Sequence, residues 1–130
     1  MKTLKKVLAL TLVFALALTC AISAAAYTDD SKISKTEAVG MLSTLNVING
    51  KSDGSFDPSG AVTRGEMAKM IYTVRTGGND DASQYAGLST RFTDIAGYWS
   101  AAYVKYCNSV GIIAGRSNTT FDPNASVTGL

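Results

Sequence analysis

Residues 45–65 read LNVINGKSDGSFDPSGAVTRG, and residues 110–130 read VGIIAGRSNTTFDPNASVTGL. The two stretches align without a gap at an offset of 65 residues, and they are identical at 8 of their 21 positions. Composition alone would give about one or two identities. Because self-similarity at a fixed offset is the signature of a repeat architecture, we infer that the chain contains two copies of one structural unit.

The repeat and the composition around it divide the chain into four parts. We predict a signal peptide over 1–26, a first repeat over 27–75, a linker or insertion over 76–91 and a second repeat over 92–130. The linker is rich in Gly, Asn, Asp and Ser and is expected to hold at most one short turn of helix. The second repeat reaches Leu130 where the first enters a helix. We therefore expect an incomplete second repeat and a longer full-length protein.

Residues 1–26 have the three regions of a secretory signal peptide. Three lysines lie within the first six residues, a mainly apolar run covers 7–18, and three alanines precede Tyr27. The apolar run is shorter than the roughly 20 residues needed to span a bilayer. We therefore predict cleavage before Tyr27 and secretion, with a retained N-terminal anchor as the alternative.

Composition excludes several classes of function. Without the signal peptide the chain has nine Lys and Arg against ten Asp and Glu, so it carries no basic footprint for nucleic acid. It has no His and one cysteine, Cys107, which excludes an internal disulfide, the usual zinc ligand sets and a Cys-His nucleophile pair. The loop 51–57 lacks the ligand series of a calcium-binding EF-hand. We expect no enzymatic activity, cofactor or metal site in these residues.

The predicted fold is mainly α, with tandem helix-loop-helix repeats and very short strands or turns. Two capping boxes mark helix starts in the first repeat, Ser34 with Glu37 and Thr63 with Glu66. Apolar residues at helical spacing follow each box, namely Ala38, Met41, Leu42 and Leu45 after the first, and Met67, Met70, Ile71 and Val74 after the second.

The second repeat begins with a helix predicted over 101–110, which ends at Gly111. Tyr103, Cys107 and Val110 share one face of this helix. Because the second helix of this repeat is missing, we expect that face to lack the partner that the corresponding helix provides in the first repeat. Stacked repeats depend on their neighbours in this way.

These motifs resemble the S-layer homology module of bacterial surface proteins. The family pattern has an aromatic-x-Asp start, a Trp at the first helix, an Ile-x-x-Gly turn, a Gly-x-Phe-x-Pro loop and an Ile-Thr-Arg-Ala-Glu helix opening. The matching residues are Phe92-Thr93-Asp94, Trp99, Ile112-Ile113-Ala114-Gly115 and Thr120-Phe121-Asp122-Pro123, together with Val47-Ile48-Asn49-Gly50, Gly54-Ser55-Phe56-Asp57-Pro58 and Val62-Thr63-Arg64-Gly65-Glu66. The first repeat begins with Tyr27-Thr28-Asp29 and lacks the Trp, and Gly129 stands where the second repeat would carry the arginine.

The resemblance implies non-covalent anchoring of a secreted protein to the bacterial cell wall. In this family three modules typically pack into a pseudo-trimeric spindle whose grooves bind an anionic, often pyruvylated, secondary cell-wall polysaccharide. The implied partners are this peptidoglycan-linked glycan and further repeats in the same chain, with no nucleic acid and no membrane span after signal cleavage. The alternatives are the targeting head of an extracellular enzyme whose catalytic domain lies beyond residue 130, and a purely structural or protein-interaction repeat.

The resemblance assigns glycan contact to Arg64 and Trp99, with Gly50, Gly115 and Asp94 as further candidates from the matching motifs. An arginine fork suits a carboxylate, especially at a helix N-terminus where free amides add positive potential. A Trp ring could stack on a sugar. The alternatives are a core position for Trp99, a solvated first-turn position for Arg64, and turn positions for the two glycines.

Overall fold

The computed structural model describes residues 27–128, which contain three α-helices: α1 (Thr36–Thr44), α2 (Arg64–Arg75) and α3 (Ala101–Ser109). Two short 3-10 turns accompany them, Asp30–Lys32 and Ser83–Tyr85. This part of the chain contains no β-strand, and its extended pairing is limited to one antiparallel bridge between Thr63 and Ser126. The prediction of a mainly α fold is confirmed.

The predicted signal peptide lies outside the described residues. Within 27–128, none of the helices combines the length and the apolar character that crossing a membrane requires.

The part that the two repeats have in common folds alike, which confirms the internal repeat. The same main-chain hydrogen bond recurs 65 residues apart, from the amide of Thr28 to Gly54 and from the amide of Thr93 to Thr119. The same aromatic contact also recurs, with ring centroids 5.5 and 5.6 Å apart in the pairs Tyr27 with Phe56 and Phe92 with Phe121. In both repeats this contact fixes the Phe-Asp-Pro loop against the start of the repeat.

Helix α2 starts with the predicted capping box. The amide of Glu66 donates to Thr63 Oγ1 at 3.2 Å, and the amide of Thr63 donates to Glu66 Oε2 at 2.8 Å. The box satisfies two backbone donors that the helix itself leaves without a partner. Both partners lie within one helical turn, so this prediction needed only local sequence.

The predicted capping box at the start of α1 is wrong. The helix begins at Thr36 with Lys35 as its N-cap, and no side chain caps it, so Ser34 and Glu37 do not form the box. Ile33, the residue before Ser34, is buried in an extended conformation directly after the first 3-10 turn. Burial of Ile33 constrains the chain one residue before Ser34, and packing of this kind can override a local capping preference.

The core of the described residues lies between α2 and α3. Ala68 belongs to the same buried cluster as Val104, and Tyr72 shares a second cluster with Cys107. The expectation that the first helix of the second repeat lacks a partner is therefore wrong, because α2 of the first repeat covers it. Val110, predicted on the same face, follows the end of α3 and is 44% exposed.

Helix α1 is the helix that leaves its apolar side uncovered. Met41 is 66% exposed and Leu45 is 54% exposed, so the apolar residues predicted at helical spacing do not form a buried face within residues 27–128. Among residues 27–128, α1 makes no extensive contact with another helix. By the 65-residue offset, Leu42 of α1 corresponds to the fully buried Cys107 of α3, yet Leu42 is partly exposed. The first repeat thus lacks the cover that α2 gives the second.

Residues 76–91 contain one short 3-10 turn and pack onto the core. Ala82 is buried, and the Tyr85 ring lies 6.0 Å from that of Tyr72 and 4.7 Å from that of Tyr106. The Tyr72 hydroxyl donates to the carbonyl oxygen of Asp81 at 2.7 Å. The segment therefore covers the α2–α3 pair, a role that its polar composition did not indicate.

Candidate functional site

The N-terminus of α2 docks on the Phe-Asp-Pro loop of the second repeat. The amide of Arg64 donates to the carbonyl oxygen of Ala125 at 2.9 Å, and the amide of Gly65 donates to that of Pro123 at 2.9 Å. Arg64 is the first residue of the helix, as predicted. The first amides of α2 are therefore used by the protein, so the charge available to a ligand here is that of the Arg64 side chain.

The Arg64 guanidinium is held by three contacts with the second repeat. Nε donates to the carbonyl oxygen of Phe121 at 2.8 Å, and Nη2 donates to that of Ala114 at 2.8 Å. The guanidinium carbon also lies 4.5 Å from the centroid of the Phe121 ring. Arg64 is half-buried, so the alternative of a solvated first-turn residue is wrong. An arginine has five N–H donors, and those not used here have no partner within residues 27–128.

A groove of about 180 Å³ lies beside this guanidinium. Two of its lining residues come from α2, and four come from the second repeat: Arg64 and Met67, then Ile113, Ala114, Phe121 and Val127. The site is therefore built between the repeats. It combines one fixed positive charge with apolar walls.

Asp94 holds the loop that contributes Phe121 to this groove. Its carboxylate accepts the amide of Phe121 at 2.9 Å and the amide of Asp122 at 2.6 Å. Asp29 does the same in the first repeat, accepting the amides of Phe56 and Asp57 at 2.8 Å each. We call this arrangement, in which Asp29 or Asp94 accepts two amides of the Phe-Asp-Pro loop, the clasp. It was not predicted, although an aromatic-x-Asp motif that recurs at the repeat offset could have indicated it.

The pKa of both carboxylates, Asp29 and Asp94, is lowered from the usual value of an aspartate. The amide of Phe56 is the main cause that lowers the pKa of Asp29. Burial acts to raise the pKa of Asp94, but the amides of Phe121 and Asp122 and the nearby Arg64 charge outweigh it, so the pKa is lowered. Asp94 therefore serves the loop geometry and does not line the groove.

Positions 50 and 115 must be glycine because an aromatic ring of the same repeat packs directly against each of them. A Cβ atom on Gly115 would collide with the Phe92 ring and lie 2.6 Å from the carbonyl oxygen of Ser117. A Cβ on Gly50 would collide with the Tyr27 ring, and Gly50 also has φ +68°, which favours glycine. Gly115 is next to Ala114 of the groove, whereas Gly50 lies in the other repeat.

Trp99 lies on the surface. It is 54% exposed, so the alternative of a core position is wrong. Its ring neighbours are Tyr98, at 6.4 Å between centroids, and Tyr103, at 6.3 Å. The next residue, Ser100, is fully buried at the start of α3, which turns the Trp99 side chain outward. Trp99 does not line the groove beside Arg64.

An exposed ion pair joins the two ends of the loop 51–57 in the first repeat and of the equivalent loop 116–122 in the second. Lys51 Nζ lies 2.5 Å from Asp57, and Arg116 Nε lies 3.5 Å from Asp122, at equivalent positions. Pairs this exposed contribute little to stability. The part of the chain that the structure describes holds no group of three or more His, Cys, Asp or Glu residues suited to a metal ion.

Comparison with known proteins gives a consistent set of matches. The family model described as S-layer homology domain matches residues 26–68 and 91–129. A surface layer protein of Brevibacillus choshinensis is 32% identical over 98% of this chain and 12% of its own length. A cellulosome-anchoring protein of Acetivibrio thermocellus is 30% identical over 69% of this chain and 20% of its own length.

An enzyme is also among the relatives. Endo-1,4-beta-xylanase A of Thermoanaerobacterium saccharolyticum is 31% identical over 77% of this chain but only 8% of its own length. The chain thus spans a small fraction of these curated relatives. No solved structure gives a significant match.

Proposed function

Because this chain belongs to the S-layer homology domain family, we propose that it anchors a secreted protein to the cell wall by binding an anionic secondary cell-wall polysaccharide in the groove beside Arg64. The family and the relatives support cell-wall anchoring in general, and they confirm the predicted location at the bacterial cell surface. The module itself is non-catalytic. The polysaccharide and the site are the proposed part.

The Arg64 side chain is the observation that carries this proposal. Its guanidinium is already oriented by two carbonyl oxygens at 2.8 Å, so a ligand carboxylate would not have to order a flexible side chain. A charge-assisted hydrogen bond from a guanidinium to a carboxylate is among the stronger hydrogen bonds in proteins. The two carbonyl contacts do not neutralise its positive charge, which remains available to a ligand.

The walls of the groove favour a ligand with apolar surface beside its charge. Met67, Ile113 and Val127 contribute aliphatic side chains around the guanidinium. A pyruvate ketal on a sugar carries a carboxylate and a methyl group on one carbon, which suits this combination. A bare phosphate would satisfy the charge and leave the apolar walls in water, so a carboxylated sugar fits the groove better.

Trp99 is the proposed second contact with the glycan. An exposed indole beside Tyr98 offers a flat apolar surface on which a sugar ring can stack. Because Trp99 does not line the groove, it would meet a sugar other than the one that carries the carboxylate. Gly50, Gly115 and Asp94 take part in this proposal by holding the loops in shape.

Further repeats of this family are the proposed protein partner of the first repeat. Phe121 is buried beneath Arg64, whereas the equivalent Phe56 is only half-buried. No hydrogen bond reaches the carbonyl oxygen of Phe56 within residues 27–128, although its equivalent accepts from Arg64. Together with the exposed side of α1, this surface fits the start of a helix like α2 from another repeat.

Sedimentation with purified cell walls tests the glycan proposal. We expect the protein to pellet with intact sacculi at low salt and to stay in solution with sacculi stripped of their secondary polymer. Intact sacculi whose carboxylates have been amidated should also fail to bind. Equal binding to the stripped sacculi would contradict the proposal, because peptidoglycan alone would then be the ligand.

A targeting role in an extracellular enzyme is the second candidate. It is favoured by the likeness to the xylanase, in which the matched region is a small part of a longer protein. Anchoring and enzyme targeting use the same module, so both predict binding to cell walls. A glycanase assay on the full-length protein separates them, since an anchor without a catalytic domain releases no sugar.

A further inference from the structure

Asn49 and Gly50 form an Asn-Gly pair directly before the loop 51–57 of the first repeat, and the side chain of Asn49 makes no hydrogen bond within residues 27–128. The chain has six asparagines. Four of them use the side-chain amide in a hydrogen bond within residues 27–128: Asn46, Asn79, Asn108 and Asn124. The side chains of Asn49 and Asn118 make none there, and both residues are exposed.

The two asparagines differ in the residue that follows each of them in the sequence. Asn49 is followed by Gly50, which is exposed and whose amide donates no hydrogen bond within the described residues. Asn118 is followed by Thr119, whose β-branched side chain crowds its own amide and which donates that amide to Ser117 at 3.2 Å. Asn49 thus combines a side-chain amide that makes no hydrogen bond within residues 27–128 with a following main-chain amide that also makes none there and belongs to a residue without a side chain.

We propose that Asn49 is a site of spontaneous deamidation in the folded protein. The Gly50 amide nitrogen loses its proton and attacks the side-chain carbonyl carbon of Asn49. The new carbon–nitrogen bond closes a five-membered succinimide, and the side-chain nitrogen leaves as ammonia. Water then opens the ring at either carbonyl, which gives aspartate or isoaspartate at position 49.

The modification is confined to the first repeat. The equivalent position in the second repeat is Ala114, which has no side-chain amide and whose carbonyl oxygen accepts Arg64. In the isoaspartate product the former main-chain carbonyl of residue 49 becomes a free carboxylate. Deamidation therefore adds a negative charge at position 49 of the first repeat. At the equivalent position 114, the second repeat instead has a carbonyl oxygen that accepts a hydrogen bond from Arg64.

The two products differ in their effect on the fold. Isoaspartate adds one carbon to the backbone before Gly50, which lies so close under the Tyr27 ring that no Cβ fits. We expect the isoaspartate form to melt at a lower temperature than fresh protein. Aspartate leaves the backbone unchanged, so Asn49→Asp should melt as the wild type does.

Peptide mapping by mass spectrometry tests the proposal on the full chain. Folded protein is incubated for days in neutral and mildly alkaline buffer, and conversion is followed at each asparagine. We expect Asn49 to convert fastest, with a rate that rises with pH because the attacking nitrogen must lose its proton. An isoaspartate-specific methylation assay should turn positive in step, and it should stay negative in Asn49→Gln.

Asn118 provides the internal comparison, since it is also exposed. The same incubation in urea gives the rate for the unfolded chain. Conversion at Asn49 no faster than at Asn118 in the folded protein would overturn the proposal. Conversion at Asn49 in urea alone would also overturn it, because the folded turn would then protect the site.

Discussion

Replacing Arg64 by alanine should destabilise the fold itself, because its side chain connects the two repeats. The hydrogen bond from Nε to the carbonyl oxygen of the buried Phe121 is charge-assisted and is lost with the side chain. Such a bond contributes about 1.5–3 kcal/mol. Loss of the guanidinium from the Phe121 ring removes about 0.5–2 kcal/mol more.

The second carbonyl contact adds little to this estimate. Ala114 is exposed, so water replaces the guanidinium at its oxygen. The expected loss for Arg64→Ala is therefore about 2–5 kcal/mol of unfolding free energy. For a domain of this size that corresponds to a fall in melting temperature of roughly 10 °C or more.

Thermal melts followed by circular dichroism measure this effect, with Arg116→Ala as the matched control. Arg116 lies in a loop of the second repeat, and its one ion pair is exposed and should contribute about 0–1 kcal/mol. A melting temperature for Arg64→Ala equal to that of the control would refute the structural role of Arg64.

Three further predictions follow from individual residues. Gly115→Ala should lower the free energy of unfolding, measured by chemical denaturation, by about 1–3 kcal/mol, because the new methyl group meets a ring and two carbonyl oxygens. Gly87→Ala is the control and should be neutral, because that position faces open space. A similar loss for both variants would contradict the packing around Gly115. Lowered folded-state pKa values mean that Asp29 and Asp94 stabilise the fold above their unfolded pKa, usually near 3.8, and that this contribution is lost as pH falls through the folded values. An acid titration of Asp94→Asn should show a shallower loss of stability than wild type, and an identical profile would argue against the clasp. Burial raises the pKa of Cys107 to about 11, so alkylation near neutral pH should require unfolding, and rapid labelling of the folded protein would contradict its buried position.

Local signals in the sequence predicted the elements that depend on few neighbours. The Thr63 and Glu66 box formed as expected, since its two partners lie within one helical turn and the packing around them agrees with the local signal. Gly111 ends the helix region of α3 with φ +75°, as its position after the apolar face indicated. The 65-residue offset also correctly predicted which loop residues of the two repeats adopt the same conformation and contacts.

Contacts between distant segments account for what the sequence did not predict. Ser34 has the same local signal as Thr63, but it forms no box, and the neighbouring Ile33 is buried. The partners of the Arg64 side chain are 50 and 57 residues away, and no local pattern identifies them. Tyr85 lies in a segment of linker-like composition, yet it packs on tyrosines of two helices.

A pair of matched valine substitutions tests most directly whether the groove beside Arg64 binds the anionic polymer. Val127 lines the groove and is 40% exposed, whereas Val110 lies outside it and is 44% exposed. Both should accept a glutamate without loss of core packing, which thermal melts can check. In sedimentation with intact sacculi at low salt, Val127→Glu should lose binding through charge repulsion, while Val110→Glu should bind as the wild type does. Equal binding by the two variants would contradict the account.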